Sequence, residues 1–147
     1  MNFFSQIAAN RPLWTAILAW AIAQVIKIIV DLVRYKKLDW RLLFATGGMP
    51  SSHSALVTSL AVAVGMEQGF NSTYFALATV FAFVVMYDAQ GIRRQAGTQA
   101  HIINVMLENL ENTGIKLDKN LKELLGHTPV QVIGGAVLGI IVALFIH

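Results

Sequence analysis

The sequence predicts an all-α fold: an integral membrane bundle of about four transmembrane helices, with amphipathic helices lying at the interface. Three observations predict it. Of the 147 residues, 56% are hydrophobic and only 13% charged, with a mean hydropathy of +0.60, too apolar for a soluble domain of this length. The apolar residues fall into four separated runs, the first long enough to cross a bilayer by itself. Lys and Arg gather in alternate loops between those runs, the pattern that sets membrane orientation. Cysteine is absent, which excludes disulfides and thiolate metal sites.

The four spans are expected at about 13–33, 52–69, 72–90 and 129–146, in one transmembrane domain covering 1–147. The first is longer than a signal-peptide core, and no small-residue cleavage pattern closes it. Gln24, Lys27 and Asp31 lie in its last third. The second and third are short against the roughly 20 residues that a ~30 Å hydrocarbon core requires. They either borrow flanking polar residues or sit inside the bundle. Ser51 or Ser52 caps the second span; Thr128 caps the fourth, with Pro129 as its first helical residue. Between the third and fourth spans, the segment 96–125 carries two amphipathic patterns. Ile103, Met106, Leu107 and Leu110 form one, and Leu117, Leu121, Leu124 and Leu125 the other, separated by Asn112-Thr113-Gly114. A hairpin at the interface is the preferred reading, and a lid over a site the alternative.

Orientation follows from counting bases. Arg34, Lys36, Lys37 and Arg41 flank the first loop; Arg93, Arg94, Lys116, Lys119 and Lys122 lie in the third, giving 4 + 5 = 9 against Arg11 alone on the opposite face. The first and third loops are therefore expected in the cytoplasm and both termini outside, in the plasma membrane.

Several polar residues are out of place in such a chain. Ionisable groups inside spans cost on the order of 2.5–3.5 kcal/mol each near mid-membrane, so they are functional candidates. Gln24, Lys27, Asp31 and Arg34 recur at spacings of three or four and form one helical stripe. A Lys27–Asp31 pair snorkelling to the interface is one reading; an inward-facing anion site is preferred, because Lys27 lies about 10 Å deeper than Arg34 at 1.5 Å per residue. The run Gly47-Gly48-Met49-Pro50-Ser51-Ser52-His53-Ser54-Ala55 opens the second span. Capping explains a serine but not His53. A helix N-terminus with free N–H groups favours phosphate, and Gly48 lets the backbone approach closely. Gly126-His127-Thr128-Pro129 repeats the arrangement at the fourth span. His53 and His127 on the face of Lys27 and Arg34 suit phosphoryl transfer to one histidine with the other as proton donor. Asp88, and Arg93 with Arg94, end the third span on that face; they serve the site or merely anchor topology. His101 and His147 lack a comparable setting. No metal-ligand spacing such as HExxH is present, and neither a cofactor nor a nucleic-acid partner is expected.

These residues resemble a family. Type 2 phosphatidic acid phosphatases, which share a fold with vanadium haloperoxidases, carry the motifs KxxxxxxRP, PSGH and SRxxxxxHxxxD. Lys27 and Arg34 have the first spacing, with Tyr35 in place of proline; Pro50-Ser51-Ser52-His53 matches the second, with Ser52 in place of glycine; His127 matches the histidine of the third. Together with Tyr-Asp-Ala-Gln-Gly-Ile-Arg-Arg and Gly-His-Thr-Pro-Val-Gln-Val, they resemble the divergent branch of that superfamily, a group of small membrane proteins. The third motif departs in two places: Gln131 stands for its aspartate and Leu121 for its arginine. The resemblance implies that His127 is the nucleophile and His53 the proton donor. Lys27, Arg34, Ser51, Ser52 and Arg93 or Arg94 would hold phosphate. Asp88, Gln131, Asp31 and Gly48 would support them, with no metal required. A lipid phosphate is the implied substrate: phosphatidic acid, phosphatidylglycerophosphate or a polyprenyl pyrophosphate. A catalytically silent lipid-phosphate binder or transporter is the alternative, and a structural membrane subunit the third reading. Gly135 and Gly139 form a GxxxG pattern and Ala19 and Ala23 a small-xxx-small pair, so a homodimer through such helix packing is also expected.

Overall fold

The computed structural model describes residues 2–36, 48–111 and 126–146, without the side chains of 35, 92–94, 110 and 111. Six helices occupy the described residues: α1 (Phe3–Ala8), α2 (Arg11–Tyr35), α3 (Ser52–Gln68), α4 (Thr73–Gln90), α5 (Ile92–Glu111) and α6 (Pro129–Ile146). Among these residues there is no strand, so the expected all-α membrane bundle is the observed architecture. Short polar side chains start the helices where the sequence places them. Asn2, Asn10, Ser51 and Ser72 each accept a backbone N–H three residues on, satisfying donors that a helix start leaves orphaned. At its far end α2 closes on Lys36 in the left-handed conformation, whose N–H donates to the carbonyl of Leu32.

The middle of the bundle is α3. It packs against α2, α4 and α6, most extensively against α6 and α2. Nine of its 17 residues are buried, and all nine are small or β-branched: Ser52, Ser54, Ala55, Val57, Thr58, Ser59, Ala61, Ala63 and Gly65. His53, Leu56, Leu60 and Val64, at helical spacing, form its less covered face and are half-buried. The second run is a helix packed among three others. Three stretches are long and apolar enough to cross a membrane: Arg11–Arg34, Thr73–Asn109 and Pro129–Ile146. At 17 residues α3 is about 25 Å long, the core about which those three are arranged.

Close packing on α3 uses the glycines of α6. A methyl group built on Gly135 would meet the Ser51 carbonyl oxygen, and Ser54 Cβ at 2.9 Å. One on Gly139 would meet Thr58 Oγ1 and the Ala55 carbonyl, with Ser59 N at 3.0 Å. Thr58 Oγ1 donates to the Ser54 carbonyl at 2.6 Å and also lies 3.2 Å from the Ala136 carbonyl of α6. The GxxxG face is therefore occupied within the chain, as are Ala19 and Ala23, both fully buried. Small residues admit close backbone approach, and here the approaching helix is the chain's own α3.

The outer surface is apolar. Val25, Ile29 and Val33 of α2, Leu77, Val80, Phe81 and Val84 of α4, and Ile133, Ile140, Leu144 and Phe145 of α6 are all exposed. A contiguous patch of that kind is untenable in water and natural against lipid tails. At Gly91, whose N–H donates to the Tyr87 carbonyl at 2.9 Å, α4 passes almost without interruption into α5. On α5, Ile102, Ile103 and Met106 are exposed. The second amphipathic pattern lies outside the described residues, with Gly47, Leu121 and His147.

Candidate active site

Two helix starts meet at one end of the bundle. α3 begins after Ser51 and α6 after Thr128, and the N–H of Ser51 donates to the Gln131 carbonyl in the first turn of α6 at 3.0 Å. Near this junction His127, buried, and His53, half-buried, turn their rings toward each other. Their centroids are 6.3 Å apart and their planes 62° from parallel. The residues come from opposite halves of the chain, so packing of α3 on α6 makes the pair. His127 is tied to a third helix as well: its N–H donates to the Ala89 carbonyl at the end of α4, at 3.1 Å.

The serine cluster is wholly inside. Ser51 and Ser54 are fully buried, and Ser52 nearly so. Ser51 Oγ accepts the Ser54 N–H at 3.3 Å and the Ser54 hydroxyl at 3.0 Å. The sequence reading named Ser51 and Ser52 but missed Ser54; the signal was its place three residues after a cap, facing the same orphaned donors.

From α2, Lys27 enters this end of the bundle with only 3% of its surface exposed. Its Cγ and Cδ pass so close to Gly48 that a methyl there would lie 3.0 and 2.8 Å from them. Gly48 has φ +85°, a left-handed conformation open to glycine. The stem of Lys27 thus rests on the segment leading into Pro50-Ser51-Ser52-His53. An inward lysine, and not one snorkelling to the interface, is what the bundle contains. Gln24, one turn deeper, is also buried. Burial then falls off along the stripe: Asp31 is half-buried and Arg34, in the last turn of α2, is exposed.

Asp88 is half-buried in the last turn of α4, next to the Ala89 carbonyl that holds His127. Arg93 and Arg94 lie in the first turn of α5, and their side chains lie outside the described residues. Gln131 has a more definite place than the sequence implied. Its Oε1 lies 3.0 Å from the Thr128 N–H and 3.3 Å from His127 Nδ1, while its own N–H points at Thr128 Oγ1 at 3.4 Å. That reciprocal pair is a capping box, legible in Thr-x-x-Gln. Among the described residues no group of His, Asp and Glu has metal-holding geometry. The arrangement gathers an imidazole pair, a buried lysine and two helix starts at one end of the bundle.

Between α4 and α6 a groove of about 650 Å³ runs along the outer face. Tyr87 and Gln90 of α4 and Val132 of α6 line its head end, close to Ala89 and Gln131 of the site; Phe83 and Ile140 line its far end. It extends about 10 Å along α4 and about 12 Å along α6 at 1.5 Å per residue.

No solved structure matches this chain. It is 41% identical over 150 residues to the uncharacterized membrane protein YuiD of Bacillus subtilis (strain 168), with 95% of each chain covered. A family model described as the Divergent PAP2 family matches residues 8–142, a stretch that includes Lys27, His53 and His127. This chain is therefore a member of the Divergent PAP2 family, within a membrane-embedded all-α bundle.

Proposed function

We propose that the chain is a membrane phosphatase hydrolysing a lipid phosphate monoester or pyrophosphate through a phosphohistidine. The observation that carries this reading is the pair of imidazoles 6.3 Å apart at the meeting of two helix starts. Two imidazoles this close can both reach one bound phosphoryl group. His127 Nε2 attacks phosphorus, forming a P–N bond while the ester P–O bond breaks. The leaving oxygen takes its proton from cationic His53. Neutral His53 then accepts a proton from water as the water oxygen attacks phosphorus; the P–N bond breaks and its electron pair returns to Nε2. Lys27 would face the negative oxygens, with Arg34 and Arg93 or Arg94 closing over them at the headgroup level. Asp31 and Asp88 would orient those cations.

The groove supports a lipid substrate: a hydrocarbon chain along Phe83 and Ile140 leaves its phosphate near Gln90 and Val132, beside His127. We place the site on the cytoplasmic side of the plasma membrane and the termini outside, since 4 + 5 = 9 bases flank the first and third loops. A second reading, a silent lipid-phosphate binder, is favoured by one observation, Gln131 where a carboxylate would pair with a cationic His127.

Phosphate release from phosphatidic acid, phosphatidylglycerophosphate and a polyprenyl pyrophosphate by the detergent-purified chain separates the two. Turnover that falls at least roughly 10²-fold in His53→Ala and further in His127→Ala supports catalysis. Saturable binding with no turnover establishes the binder.

A further inference from the structure

We infer that the cavity at the other end of the bundle, where α1 meets the end of α3, binds a phospholipid whose headgroup carries a primary ammonium. This does not rest on the phosphatase reading. Glu67, at its mouth, is 67 − 53 = 14 residues along α3 from His53, about 21 Å at 1.5 Å per residue. The cavity holds about 680 Å³ and takes its walls from α1, the first turns of α2 and α4 and the last two turns of α3. Two of the membrane-crossing stretches begin beside it, at Arg11 and Thr73, so its mouth lies where hydrocarbon gives way to headgroups. The exposed rings of Phe3 and Phe4 on α1 suit that level. Trp14 Nε1, donating to the Ile7 carbonyl at 3.1 Å, ties α1 to α2.

Its polar and apolar linings are separated in depth. Gln6, Glu67, Gln68 and Tyr74 surround the mouth, whereas Leu13, Leu60 and Val64 form the wall that runs inward. From Glu67 to Leu60 that wall is about 10 Å long, a seat for the upper part of a hydrocarbon chain. The apolar depth selects a lipid over a soluble amine. Glu67 selects the charge of the head. Its exposed carboxylate stands in the last turn of α3, at the negative pole of the helix dipole, where a cation is favoured and an anion is not. No Lys or Arg shares that turn. A carboxylate there breaks a local rule of helix chemistry, and such conflicts gather at functional sites. A primary ammonium brings three donors. The Glu67 carboxylate accepts one of them as a charge-assisted bond, and the ring of Tyr74 adds a cation–π face. Arg11, between the lining residues Asn10 and Pro12, is left for the adjoining phosphodiester.

The test is native mass spectrometry of the full chain in detergent, titrated with phosphatidylethanolamine and with phosphatidylglycerol of the same chains. Wild type is expected to bind phosphatidylethanolamine roughly 10-fold more tightly, as one charge-assisted hydrogen bond implies. Equal affinities, or the reverse order, overturn the inference. Glu67→Gln, at an exposed position, is expected to abolish the preference with Tm unchanged or slightly raised, since a charge at odds with the helix dipole is removed. A preference that survives this substitution refutes the role of Glu67. Ala9→Phe, also exposed, fills the cavity from its rim and is expected to weaken phosphatidylethanolamine binding; unaltered binding places the lipid elsewhere and rejects the cavity. Glycerophosphoethanolamine, the same head without chains, is expected not to compete even in large excess. Effective competition assigns the site to a soluble amine and overturns the lipid.

Discussion

Gly134 and Gly135 are neighbours on α6, and the packing of α6 on α3 gives their substitution by alanine opposite signs. At Gly135 the added methyl meets the Ser51 carbonyl oxygen, and Ser54 Cβ at 2.9 Å, where 3.4 Å begins ordinary contact. Both atoms belong to the capped start of α3 and cannot swing aside, so α6 must retreat by roughly 0.5 Å or more, an overpacking cost of about 1–3 kcal/mol. The retreat stretches the 3.0 Å bond from Ser51 N–H to the Gln131 carbonyl, forfeiting about 1 kcal/mol. Alanine returns about 1 kcal/mol in helix propensity. The net loss is about 2 kcal/mol, a fall in Tm of about 4–8 °C for a chain of this size. At Gly134 the nearest atom is Met49 Cε at 3.3 Å, the free end of a flexible side chain. Only the propensity gain remains, so Tm holds or rises by about 2–4 °C. Thermal unfolding of both variants in one detergent, followed by circular dichroism, measures the contrast. Equal Tm values for Gly134→Ala and Gly135→Ala would refute the packing of α6 on α3 as described.

Other perturbations have their own readouts. Gly48→Ala forces a left-handed residue to carry a methyl against the stem of Lys27, with an expected loss of about 1–2 kcal/mol in the same unfolding assay. Ser51→Ala removes the cap of α3 and the acceptor of the Ser54 hydroxyl, costing about 1–2 kcal/mol. Lys27→Met keeps the buried stem and deletes the charge; binding of phosphatidic acid over phosphatidylcholine with the same chains is expected to weaken about 10–100-fold, as loss of a charged hydrogen bond of about 1.5–3 kcal/mol implies. Ala136→Phe fills the groove between α4 and α6. It is expected to raise KM for long-chain phosphates while leaving a soluble aryl phosphate untouched, and equal effects on both would deny the groove a role in chain binding.

Spacing along single helices made much of this legible. Lys27 on an inward stripe, His53 behind a capping serine and His127 behind Thr128-Pro129 were each readable, because helical period and cap chemistry are local. Which faces meet is not local. Gly135 and Gly139 spell a helix-packing face, yet nothing in α6 says that the partner is Ser51 and Thr58 of the same chain. Hydropathy does not distinguish lipid from protein as surroundings; the density of Ser54, Ser59, Ala61 and Ala63 in the second apolar run is the sign of a helix packed closely by its neighbours. Gln131 was read as a missing charge. Its capping-box spacing with Thr128 was in the sequence, but the oxygen shared with His127 comes from the turn that brings both to one point.

The central claim is that His127 and His53 form one phosphoryl-transfer site. Rapid quench of the purified chain with phosphatidic acid carrying ³²P in its phosphate tests it most directly. The expected result is protein-bound label that is stable in alkali and lost in acid, as a phosphohistidine is, present in wild type and absent in His127→Ala. Label of the same amount and acid lability in His127→Ala would contradict it.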